Sequence, residues 1–292
     1  LIIAESIGKF CSYILAVYYC QDIVINSIRK LKWELIEIRR NINSGIKIMF
    51  SNIASILIIG INRYGIEKNW SVEIFGEISL SITISQLFIT FVTNIGMIIF
   101  PLLRKMKEEN LVHTYQLLKS LLNLVILFLF LFFYIGRWIL IKWIPAYELS
   151  IKYMGLLVPI CFYESEMALL NNPYLKSLRK ERTIMFINVG VMLLGLLFTG
   201  IFSFFLEDLT LSVFSITILI GLRCMCSEYV LSRHLKMGYH VLLNYENLMI
   251  AIYIITCYMF GNSKGFFVYL VAYIIYVAII YLNKIIPLKK ID

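Results

Sequence analysis

Nine stretches of this 292-residue chain are each long and apolar enough to cross a bilayer, and the segments between them alternate between rich and poor in Lys and Arg. About 20 mostly apolar residues carry a helix across roughly 30 Å of hydrocarbon, where only helices and closed barrels satisfy their own backbone groups. Continuous apolar runs such as Leu121 to Ile135 exclude the in-and-out alternation of a barrel strand. The sequence therefore predicts an all-α, polytopic membrane bundle of about nine transmembrane helices, at 1–20, 45–62, 76–100, 117–136, 150–170, 183–206, 209–232, 241–260 and 265–286. With 60% hydrophobic and 15% charged residues, a soluble globular fold would leave large apolar patches in water.

Arg29, Lys30, Lys32, Arg39 and Arg40 follow the first span, Arg104, Lys105 and Lys107 the third, and Lys176, Arg179, Lys180 and Arg182 the fifth. The positive-inside rule puts these segments in the cytoplasm. The intervening segments carry little: Arg63 and Lys68, Arg137 and Lys142, Glu207 and Asp208, then Lys264. Those face outward. Arg233 and Lys236, then Lys284, Lys289 and Lys290, continue the alternation, so the C-terminus is expected in the cytoplasm. Trp33, Trp70, Trp138 and Trp143 all fall at or beyond span ends, where an amphipathic ring sits among headgroups. The net charge of +9 then reflects topology and anionic lipid rather than nucleic acid, since no basic segment interleaves aromatics on a soluble domain.

The chain opens at Leu1 without an initiator Met and with the first span already under way, which suggests the C-terminal part of a longer transporter. That span lacks the basic start and cleavage site of a secretory signal, so it reads as a retained helix. The six cysteines lie within or beside spans, and neither they nor His113, His234 and His240 have metal-ligand spacing. No phosphate loop, nucleophile elbow or large outer segment offers a place for chemistry. The expectation is a protein that is not an enzyme and needs no cofactor.

Between the first two spans, Ile25, Ile28, Leu31, Leu35, Ile38 and Ile42 recur at steps of three and four with Arg and Lys opposite. They form an amphipathic helix on the inner leaflet, either a tie between two bundles or a plain surface helix. Charges inside spans are costly and require a partner or a wet cavity. Arg223 lies past the middle of the seventh span, Glu164 and Glu166 in the inner half of the fifth, and Glu228 near the inner end of the seventh. An ion pair of Arg223 with Glu164 or Glu166, or a substrate contact, both fit. Lys9 follows Glu5 by one turn, which suits a neutralising pair on one helix face. Asn52, Gln86, Asn94, Asn123 and Asn188 add amides at membrane depth, which commonly join helices by hydrogen bonds. Pro159 removes a donor in mid-span, while Gly190, Gly195 and Gly200 permit close packing or bending.

One region is more specific: GIKIMFSNIASILIIGINRYGIEKNWSVEIFGEISLSITISQLFITFVTNIGMIIFPLLRK, from Gly45. Its Gly45 helix start, the Asn52-Ile-Ala stretch, Gly60-Ile-Asn-Arg63, Phe75-Gly76 and Phe100-Pro101-Leu-Leu-Arg104 resemble, in order and spacing, the seventh and eighth helices of Wzx-type O-antigen and capsule flippases. These belong to the multidrug/oligosaccharidyl-lipid/polysaccharide exporter superfamily. The resemblance implies two six-helix lobes around a central cavity, often followed by two further helices. On that pattern residues 1–20 are the last helix of a truncated first lobe, 21–44 a cytoplasmic amphipathic linker, 45–232 a six-helix second lobe, and 233–292 two additional helices.

The implied activity is flipping of polyprenyl-pyrophosphate-linked oligosaccharide, the repeat unit of O-antigen or capsule, across the bacterial inner membrane by alternating access. Cavity cations would pair with pyrophosphate and amides would tolerate varied sugars. The resemblance makes Arg223 the first candidate for the phosphate, with Arg63 and Lys9 behind it and Asn52 and Asn94 as cavity amides. Glu164, Glu166 or Glu228 would bind a coupling proton or sodium ion. Expected partners are the lipid-linked substrate, membrane lipids and polysaccharide polymerase machinery. A drug or metabolite exporter of the same superfamily, or a membrane enzyme of envelope polysaccharide assembly, is the alternative.

Overall fold

The computed structural model describes residues 2–19, 35–105, 108–143, 148–235, 243–260 and 262–282. Within these helices the side chains of 2–5, 87–88, 91–105, 108–110, 148–149, 243–244, 259, 262–263 and 281–282 lie outside the description. Among the described residues there is no strand; the protein is an all-α helical membrane bundle. Its helices are α1 (Ile2–Tyr19), α2 (Leu35–Asn69), α3 (Val72–Lys105), α4 (Glu108–Trp143), α5 (Glu148–Leu157), α6 (Pro159–Glu166), α7 (Asn172–Ser177), α8 (Glu181–Thr199), α9 (Leu209–His234), α10 (Leu243–Met259) and α11 (Asn262–Leu282).

Five described stretches are long and apolar enough to cross a bilayer: Leu35–Asn69, Leu111–Trp143, Ser150–Ser177, Glu181–Phe205 and Leu209–His234. Lys264–Ile280 is a shorter apolar one. Among the described residues the nine expected spans fall on helix, but the helices overrun the apolar text. At 35, 34 and 36 residues, α2, α3 and α4 would extend roughly 50 Å at 1.5 Å per residue, well beyond the hydrocarbon.

The chain divides into two compact units, Leu1–Gly45 and Ile46–Asp292. In the first, α1 exposes apolar side chains around its circumference, including Phe10, Tyr13, Ile14 and Tyr18. Of the expected amphipathic linker, residues 21–34 lie outside the described residues, while 35–44 belong to the same uninterrupted helix as the second span.

The second unit holds one continuous core, from Ile58 and Ile66 on α2 to Tyr269 and Tyr276 on α11. Helix α9 is its axis, packing against α8, α6 and α5, and α3 packs along α5, α6 and α7. Helices α10 and α11 pack on each other and reach the rest through α4 and α5. Asp208 caps α9 by accepting from the Leu211 N–H at 3.0 Å, and Arg233 and His234 lie in its last turn, so both ends complement the helix dipole. The apolar side chains left outside, such as Leu121, Val125, Phe128, Phe132 and Ile135 on α4, form the stripe a lipid-facing helix needs.

The fifth span is one helical path with local irregularities. Val158 makes a turn, Pro159 opens α6, and a π-helical stretch, Met167–Asn171, joins α6 to α7. Proline has no N–H to give and is at ease in a first turn, so the irregularity falls where the sequence places the ring. A second π stretch, Gly200–Phe205, ends α8. Gly190 and Gly200 have open space where a Cβ would project, whereas a Cβ on Gly65 of α2 would run into the Thr199 methyl and Ser203 of α8. Gly195 does pack closely, a Cβ there meeting Leu219 of α9 at 3.5 Å, but the tightest approach is made by Gly65 on the neighbouring helix.

Candidate functional site

Two buried charge systems share helix α6. Glu164 and Glu166 are two residues apart, hence roughly 200° apart around the helix at 3.6 residues per turn. They face different partners.

Glu164 meets Arg223 of α9, with Nη2 2.6 Å from Oε2. The other terminal nitrogen of Arg223 donates to Ser55 Oγ on α2. Arg223 is only 2% exposed, so three helices converge on one guanidinium, and its Nε–H has no hydrogen-bond partner among the described residues. Ser55 also lines a small polar cleft of about 30 Å³ with Ser51, Asn52, Asn172, Lys176 and Asn188. Asn188 donates from Nδ2 to Ser51 Oγ at 2.8 Å and to the Ser51 carbonyl at 3.1 Å. The Oδ1 atoms of Asn188 and Asn172 accept nothing among the described residues. The cleft, which Glu181 also lines, has room for about a water, and the two unpaired amide oxygens are buried in its wall.

Glu166 faces the other way, toward Lys119 of α4. The Lys119 ammonium is fully buried and stands 3.6 Å from Glu166 Oε1 and 3.2 Å from Glu246 Oε2 of α10, and it donates directly to Glu228 Oε1 of α9. Asn123, one turn along α4, donates from Nδ2 to Glu246 Oε1. Cys224 Sγ lies 3.1 Å from Glu166 Oε2. Four helices thus contribute to one ionic cluster, and α10 is tied through it to the rest of the unit. Of the two partners the sequence offers Arg223, the structure selects Glu164 and assigns Glu166 to Lys119.

The remaining candidates sit apart. Arg63 donates to Ser79 Oγ of α3 at 3.0 Å and lies over the Phe75 ring at 5.6 Å, which gives it a structural anchorage joining α2 to α3. Asn52 is exposed at the mouth of the polar cleft. Lys9 is exposed within the Leu1–Gly45 unit; the side chain of its expected partner Glu5 lies outside the described residues. So does that of Asn94. Gln86 is exposed, while Asn123 and Asn188 are buried and join helices as amides at this depth do.

Sequence reasoning overlooked three participants. Lys119 and Glu246 fall within the fourth and eighth spans but close to their ends, where a long charged side chain would ordinarily reach the headgroups. Asn62 is 1% exposed and accepts at Oδ1 from Thr199 Oγ at 3.1 Å and Ser215 Oγ at 2.8 Å, while donating to the Ile58 carbonyl at 2.9 Å. One amide thereby joins α2, α8 and α9. Its signal was the four-residue text Gly60-Ile-Asn-Arg63, in which the neighbouring charge drew the attention. Replacing Asn62 by Leu removes the acceptor shared by two hydroxyls and is expected to lower stability by about 1 kcal/mol, measured as a fall in thermal midpoint in detergent. An unchanged midpoint would show the node to be idle.

No protein-family model, curated protein or solved structure matches the chain.

Proposed function

We propose that the chain works as the second lobe of a transporter that flips polyprenyl-pyrophosphate-linked oligosaccharide across the bacterial inner membrane, with its C-terminus in the cytoplasm. The observation that carries the reading is Arg223, a cation buried at membrane depth between a carboxylate and a hydroxyl on converging helices, beside a polar cleft. A charge is kept in such a place at considerable cost, and a substrate or coupling role is the usual reason.

The chemistry fits an anionic, hydroxylated headgroup. A pyrophosphate arriving at Arg223 would take the place of the Glu164 carboxylate, exchanging one charge-assisted contact for another. Glu164 is the more solvent-accessible partner and so the one free to leave. Sugar hydroxyls would meet the exposed amide of Asn52, which lines the cleft. On this reading residues 45–232 face a first lobe across a cavity, and rocking of the lobes exposes it to each side in turn.

The test is export of surface polysaccharide by the full two-lobed parent that carries this chain, in cells lacking their own flippase, with a compatible repeat unit and verified membrane insertion. Arg223→Ala is expected to abolish export, and Glu164→Gln, which leaves the cation in place, to retain it. Full export by the Arg223→Ala protein would sink the phosphate role, and no export by the unaltered protein would count against the flippase reading altogether. A second reading, export of a cationic solute, is favoured by the excess of carboxylates around Lys119. Drug-resistance assays on the same cells distinguish it.

A further inference from the structure

The Lys119 cluster has a charge problem that its geometry does not resolve. One ammonium faces three carboxyl groups, so with all of them ionised the cluster would carry two net negative charges. Those four side chains are almost wholly buried. An uncompensated charge in such surroundings is far more costly than a neutral, hydrogen-bonded acid. No other cation stands within reach among the described residues: the further titratable groups facing the cluster are Tyr115 of α4, Tyr163 of α6, Cys224 of α9 and Tyr276 of α11. None of these is positively charged in either of its forms.

We propose that the cluster is an occluded two-proton site, in which Lys119 and Glu228 form the single charge pair while Glu166 and Glu246 are held as carboxylic acids. The distances to the ammonium rank Glu228 first, Glu246 second at 3.2 Å and Glu166 last. Glu228 has the direct contact with the ammonium, whereas Glu166 stands at 3.6 Å, beyond hydrogen-bond range. Glu166 accepts instead from the Cys224 thiol, at 3.1 Å. Glu246 keeps Oε2 toward the ammonium and Oε1 toward the amide of Asn123.

Asn123 is 1% exposed and donates from Nδ2 to Glu246 Oε1 while Lys119 faces Oε2, so both oxygens of Glu246 are held by α4.

The position of the site matters as much as its content. Glu246 stands on α10, while its partners stand on α4, α6 and α9. Losing the protons would set like charges against one another across the junction that holds α10 to the remainder of the unit. Occupancy by protons and the docking of the C-terminal helix pair are then one equilibrium.

The experiment is infrared spectroscopy of the purified protein in lipid at neutral pH, with exchange into D2O. The expected spectrum contains two un-ionised carboxyl bands that exchange slowly. Glu166→Gln and Glu246→Gln each remove one, and Glu228→Gln also removes one, because one of the two remaining acids must then ionise to balance Lys119. Absence of such bands from the unaltered protein overturns the proposal, and this measurement requires no variant to fold. Bands that survive in the Glu166→Gln/Glu246→Gln protein overturn it too, as would carboxylate bands that shift when sodium or potassium replaces choline, since a bound metal cation would then balance the charge. Transport is not part of the readout, so the result stands apart from the flippase reading.

Discussion

Lys119→Met is expected to leave little folded protein in a detergent extract. The ammonium it removes is fully buried and is shared by carboxyl groups from α6, α9 and α10. Breaking a buried ion pair from one side costs about 3–5 kcal/mol, because the abandoned charge stays in place. That is a large part of the 5–15 kcal/mol or so by which domains are commonly stable. Fluorescence-detected size exclusion reads the outcome as loss of the monodisperse peak. Adding Glu228→Gln to Lys119→Met removes both members of the charge pair and is expected to bring part of the peak back. A normal profile for Lys119→Met alone would mean that the cluster contributes nothing to folding.

Gly65→Leu is expected to be nearly as damaging, for a steric reason. A single added carbon at this position already overlaps the Thr199 methyl and comes within 2.9 Å of the Ser203 hydroxyl oxygen. Helices in a bilayer associate through close van der Waals packing of small residues, with little hydrophobic drive to compensate for a gap. Overpacking by even small groups costs about 1–3 kcal/mol, so Gly65→Ala measures the lower end and Leu exceeds it. The order Gly, Ala, Leu in thermal midpoint is the measurement. Thr199→Ala placed behind Gly65→Ala relieves the nearest overlap and should recover part of the loss, unless the helices have simply moved apart, in which case it changes nothing.

The helices were legible because hydropathy is a property of segments. Among the described residues the expected spans lie on helix, and Pro159 marks an irregularity where the ring removes a donor. Helix ends were less so: backbone hydrogen bonding continues past the last apolar residue, and α4 begins at Glu108 although its apolar text starts near 117. The site was half legible. Arg223 and Glu164 announce themselves as charges near mid-span. Lys119 and Glu246 lie near span ends and look like residues bound for the headgroups; only the meeting of α4 with α10 shows that they are enclosed. Nor does any spacing in the text connect Lys119 to a residue more than a hundred positions away. The choice between Glu164 and Glu166 for Arg223 likewise depends on how α6 is turned, which no composition reveals.

That turning has a mechanical meaning. Helix α6 is an eight-residue part of the longer helical stretch Ser150–Ser177, with Pro159 at its start and a π stretch after it. On nearly opposite sides it carries one carboxylate for each charge system. A twist of this segment about its axis that drew Glu164 away from Arg223 would also move Glu166 relative to Lys119, as a cam does.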